Sequence, residues 1–147
     1  MLKTLLDRLK APSTVALPPE DCRLALTALM IHVARADQNF DGDEKAAILR
    51  ILHARYGLAD DAAEAVVAEA DIVERAATDT VPLTRMIKDA VPYEDRLAVV
   101  EALWEIALAD GKRSDDENAL LRLVVSLIGV PDRDSGLARQ RVSARLA

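Results

Sequence analysis

The chain has 147 residues, a net charge of −6, 51% hydrophobic and 3% aromatic residues, and a single cysteine. That length fits one domain with a core large enough to stand without staples. The charge excludes a broad basic footprint for phosphate backbones, so no nucleic-acid partner is expected, and one cysteine excludes an internal disulfide framework. The core must be aliphatic.

Leu2, Leu5, Leu6 and Leu9 recur at helical spacing over residues 1–10. Such a helix either docks on the core as a lid or makes weak, reversible contact with a membrane or partner. Residues 11–19, with Pro12, Pro18 and Pro19, form a loop. A helix is predicted over 20–36, with Leu24, Leu26, Leu29, Met30 and Val33 inward. Residues 37–42 break it, and 43–56 form the next helix, with Gly57 suited to its C-terminal cap. An Ala-rich helix opens at Asp60 or Asp61 and runs to about 77. A turn over 78–82 precedes a short helix over 83–90. Pro92 opens a long helix to 109, residues 115–128 follow, and 129–131 form a break. Residues 132–146 make a last helix, where Arg133, Arg139, Arg141 and Arg145 read as a solvated face or a contact for an anionic partner. No stretch alternates long enough for a strand. No run reaches transmembrane length and none reads as a secretory signal, so the expected location is cytoplasmic.

Sliding the chain on itself by 73 residues lays Pro19, Arg23, Leu24 and Ala25 over Pro92, Arg96, Leu97 and Ala98. It also lays Ala34, Ala36 and Asp37 over Ala107, Ala109 and Asp110, and Asp43, Glu44 and Ala46 over Asp116, Glu117 and Ala119. Each copy is a helical hairpin with an apolar side that neither can bury alone. The predicted fold is therefore all-α: a bundle of two pseudo-symmetric hairpins, 19–57 and 92–130, with additional helices over 60–90 and 132–146, in one domain.

Each hairpin corner is acidic. Asp41 and Ser114 stand three residues before Glu44 and Glu117, the spacing of a capping box, so helix initiation is a sufficient account of these glutamates and is favoured over a ligand role. Asp37 and Asp110 sit at the ends of apolar helices, where the macrodipole disfavours an anion by about 0.3–1 kcal/mol. Backbone amides, a bound cation or a basic partner group would each offset that. Asp37-Gln38-Asn39-Phe40-Asp41-Gly42 matches the first half of an EF-hand loop. Glu44 and Ile48 then stand where an aliphatic residue and a bidentate glutamate belong, which excludes the standard calcium loop. A weaker oxygen-ligand site for calcium or magnesium remains, with Asp37, Glu44, Asp110 and Glu117 as candidates and Asp41, Asp43 and Asp116 as secondary ones.

The paired corners, Ala34-Arg35-Ala36-Asp37 with Glu44 and Ala107-Leu108-Ala109-Asp110-Gly111 with Glu117, resemble the TerB-like (tellurite resistance) family from about residue 19 to residue 130. The first corner departs from the usual Ala-Asp-Gly in having Gln38. The resemblance implies an all-helical fold, a link to tellurite or other stress resistance in bacteria, a metal-linked or scaffolding role with a protein partner, and no enzymatic activity. His32 and His53 lack metal-ligand spacing, and His32 reads as a satisfied helix residue. Cys22 pairs with Asp95 in the repeat and is expected at the surface.

Overall fold

The computed structural model describes residues 2–35, 42–77, 79–108 and 115–146, with side chains in the last segment described from residue 118 onward. Among the described residues the chain is all-helical: α1 (Leu2–Lys10), α2 (Pro19–Ala34), α3 (Gly42–Tyr56), α4 (Asp60–Ala76), α5 (Thr80–Ala90), α6 (Tyr93–Leu108), α7 (Asp115–Leu127) and α8 (Asp132–Leu146). None of them is long and apolar enough to cross a membrane.

α2 is the axis of the bundle. Twelve of its sixteen residues are buried, and a helix that is apolar nearly all round must lie inside. It packs on every other helix except α8, most extensively on α4, and α6 packs most extensively on α8. Leu29, Met30 and Val33 of α2 join Val99, Leu103 and Ile106 of α6 in one continuous core. Thr27 is fully buried mid-helix, and its hydroxyl meets that cost by donating to the Arg23 carbonyl at 2.8 Å.

The two halves are alike in how they pack. α4 lies on α2 as α8 lies on α6, so a third helix follows each hairpin in an equivalent place. Gly57 and Gly129 end the second helix of each half with φ of 67° and 78°, the left-handed conformation that glycine adopts without a Cβ penalty. These glycines, and the starts of α4 and α8 at Asp60 and Asp132, are 72 residues apart rather than 73. The second half is therefore one residue shorter before its glycine.

The turn expected over 78–82 is shorter than predicted. α5 begins at Thr80, with Asp79 as N-cap accepting from the Val81 amide at 2.7 Å. Pro82 falls in the first turn, where its missing N–H has no helical partner to lose. α1 docks on α2, α4 and α5, with Leu5 fully buried and Leu2, Leu6 and Leu9 packed against the core. The apolar stripe of residues 1–10 is thus spent largely on the fold, as a lid helix.

Candidate functional site

Of the corner acids named from the sequence, Asp37, Asp41 and Asp110 lie outside the described residues, as do the side chains of Asp116 and Glu117. Asp43 is exposed in the first turn of α3. Glu44 is different: only 3% of it is exposed, and its side chain is engaged in a polar or electrostatic interaction. A first-turn acid that merely initiates a helix can stay in water. A buried carboxylate instead requires compensation from donors or positive charge. Among the described residues no group of three or more His, Cys, Asp or Glu side chains converges in metal-binding geometry.

An ion-pair frame joins the end of α2 and the start of α3 to α4. α2 ends at Arg35, whose amide still bonds back to the Ile31 carbonyl at 3.0 Å. Its guanidinium reaches α4 and holds Glu74 at 2.6 Å and Asp71 on its other nitrogen. Asp71 also accepts from Arg75, one turn on, at 2.9 Å. Burial pushes the Asp71 carboxyl up, but the bonds from Arg35 and Arg75 outweigh it and leave the group below its ordinary 3.8. Lys45 of α3 meets Glu64 of α4 at 3.1 Å. Arg35, Lys45, Glu64 and Asp71 line a depression of about 250 Å³ between the end of α2, α3 and α4.

The second half has a matching depression of about 330 Å³, lined by Trp104, Asn118, Arg122, Ser135 and Arg139 among others. Asn118 is the repeat partner of Lys45. Its chemistry differs. The Trp104 indole N–H donates to Ser135 Oγ at 3.1 Å, and Arg139 lies over the ring at 5.2 Å, a favourable cation–π arrangement. Tyr93 donates to Asp134 at 2.6 Å, and that bond holds its phenol above the ordinary value. The C-terminal arginines are largely spoken for: Arg145 bonds Glu105 at 3.1 Å and approaches Glu101 at 3.5 Å, and Arg141 approaches Glu101 at 3.6 Å. They tie α8 to α6 across half-exposed pairs, each of small net value.

Among the described residues neither histidine joins a group of metal-ligating side chains. His32 Nε2 lies 2.8 Å from Thr80 Oγ1, joining α2 to the start of α5. His53 Nδ1 donates to the Leu58 carbonyl at 3.0 Å. Burial lowers the His32 pKa from 6.5, against the opposing pull of Glu74 and Asp79. The native state thus favours neutral imidazole, and stability is full above pH 6.5. It declines as the pH falls through the lowered folded value. Thermal melts between about pH 7.5 and about pH 5 are expected to show this loss, and His32→Gln to flatten it.

Cys22 corrects a sequence expectation. It is buried, not exposed, and its thiol donates to the Leu17 carbonyl at 3.5 Å. Burial, with Asp95 and Asp21 nearby, pushes the thiol above its ordinary value. That disfavours the reactive thiolate.

Two helical pairs, α2 with α3 and α6 with α7, are the repeated feature of this chain. The family model described as tellurite resistance protein TerB matches residues 23–140, and so spans both corners and both third helices. No curated protein and no solved structure matches. With most of its 147 residues covered by that one family model, the chain belongs to the TerB family.

Proposed function

We propose that this chain is a non-enzymatic TerB module whose two corners each hold a divalent cation, calcium or magnesium, in service of tellurite or related stress resistance. Asp37 and Glu44 serve the first corner, and Asp110 and Glu117 the second. Asp41, Asp43 and Asp116 are secondary ligands.

The observation that carries this reading is the burial of Glu44. The sequence offered helix initiation as a sufficient account of it, and a solvated cap would meet that need. A carboxylate that is 3% exposed in the first turn of α3, close in sequence to Asp37, Asp41 and Asp43, instead fits a group that supplies charge to an enclosed site. Hard cations take carboxylate and carbonyl oxygens from flexible loops. The departure from the EF-hand at Ile48 removes the bidentate ligand, so affinity is expected in the sensor range or weaker rather than that of a buffer.

Isothermal calorimetry on chelator-stripped protein tests this. Calcium or magnesium is expected to bind saturably at two sites per chain. Asp37→Asn and Glu44→Gln each remove one site, and Asp110→Asn removes the other. Heats indistinguishable from dilution, or binding unchanged in all three variants, would refute the reading.

The second reading is a metal-independent interaction module, and an apolar groove away from the corners favours it as an additional property.

A further inference from the structure

Among the described residues α5 has no counterpart on the opposite side of the bundle. α5 is held along α2 and α7. At one end Thr80 meets His32 near the C-terminus of α2. At the other, the Ala90 carbonyl accepts from the Leu17 amide at 3.2 Å. The Lys88 side chain lies against Gly129 at the end of α7. Leu83, Met86 and Ile87, the i, i+3, i+4 stripe of α5, are all buried. α5 therefore packs on both α2 and α7.

Under the repeat, α2 corresponds to α6 and α7 to α3. Among the described residues, α2 is the only helix that packs on both α3 and α6. No counterpart of α5 covers them. In its place is an apolar groove of about 240 Å³, whose walls include Met30, Ile51, Ala98 and Ala102, with Arg55 and Asp95 beside them. Ala25 and Leu29, the α2 residues that match Ala98 and Ala102, are fully buried, whereas Ala98 is still partly exposed. Arg55 and Asp95 are both exposed, and among the described residues neither makes an ion pair.

We propose that the α3–α6 groove receives one amphipathic helix of a partner protein, seated as α5 is seated on α2 and α7. The partner helix presents an apolar i, i+3, i+4 stripe, flanked by a carboxylate for Arg55 and a basic residue for Asp95. This is helix-in-groove recognition. The apolar stripe supplies most of the affinity, while the paired charges set orientation. α5 itself carries such a pattern, with Arg85, Lys88 and Asp89 around its stripe. The proposal does not depend on cation binding, and its test is run in chelator so that the two can fail separately.

A synthetic peptide with the sequence of residues 79–91 is the probe, titrated into the full isotope-labelled chain and followed by amide NMR shifts. Saturable shifts are expected at Ile51, Tyr56, Ala98 and Ala102. Ala98→Glu is expected to weaken binding at least about tenfold, with unchanged melting temperature as the check that the fold is intact. Arg55→Glu, at an exposed position, is expected to weaken it several-fold. Three results would overturn the proposal. The first is shifts along α7 instead, which would mean that the peptide exchanges with α5. The second is the absence of saturable shifts. The third is concentration-dependent broadening at the groove without peptide, which would make a second copy of this chain the occupant.

Discussion

Leu103→Ala is expected to destabilise the protein by about 2–5 kcal/mol, read as a drop in the urea midpoint at constant slope. Leu103 is 0% exposed on α6 and belongs to the core shared by the two halves. Truncation there loses transfer free energy and leaves a cavity that rigid helix backbones can close only in part. Its repeat partner Met30, 2% exposed, is expected to show a loss of the same kind. Leu123→Ala, at a position 48% exposed, is the control and should cost less than about 0.5 kcal/mol. Against a total stability of about 5–15 kcal/mol, the Leu103 loss alone brings the fold near its threshold. A small effect at both Leu103 and Met30 would mean that the two halves do not depend on each other's core.

Arg35→Ala is the second large effect, expected at about 1–3 kcal/mol. The direction follows from what the substitution leaves behind. Asp71 keeps Arg75 at 2.9 Å, so it stays paired. Glu74, whose side chain is 10% exposed, loses the guanidinium that held it at 2.6 Å. Removing one member of a mostly buried pair costs more than the pair contributes, because the remaining charge is stranded. Adding Glu74→Gln to Arg35→Ala should therefore restore part of the loss, and a double-mutant cycle by denaturant unfolding measures it. The same pair has an acid limb. The Asp71 carboxyl is held below 3.8 in the folded chain. Its contribution is thus present above that value and is lost as the pH falls through the lower folded one. In Arg35→Ala this acid step is expected to shrink.

The helices were legible because their punctuation is chemical. Gly57 and Gly129 end helices where only glycine is comfortable, and Pro19 and Pro92 mark starts because proline gives up no helical bond there. The hairpin repeat was legible because the same apolar positions recur without a gap from Pro19 to Ala46. The equivalence of α4 and α8 was not. A single residue fewer before Gly129 shifts the register from 73 to 72, and α8 buries only Ser135, Ala138 and Val142, too few for the likeness to α4 to show in the letters.

The site was less legible than the fold. Asp37 and Asp110 drew attention through their position against the helix dipole, a local property that the sequence carries. The burial of Glu44 was hidden, because a capping box and an enclosed carboxylate have the same spacing. Cys22 was misplaced for a related reason. The repeat pairs it with the exposed Asp95, but the loop carrying Leu17, tied to the end of α5, lies over Cys22, where the Leu17 carbonyl takes the thiol. The groove between α3 and α6 is the other side of that asymmetry. A repeat seen in sequence shows what two halves share and is silent about a helix that covers one side of their junction and not the other.

The central functional claim is that the corners hold a divalent cation. Thermal unfolding of the wild-type chain and of the Asp37→Asn/Asp110→Asn double variant, each in chelator and then in saturating calcium, tests it most directly. Ligand at about one hundred times its dissociation constant stabilises a native state by about 2.7 kcal/mol per site, a rise of several degrees for a chain of this size. The account predicts that rise in the wild type and its absence in the double variant. An equal rise in both proteins, or none in either with calcium or with magnesium, would contradict it.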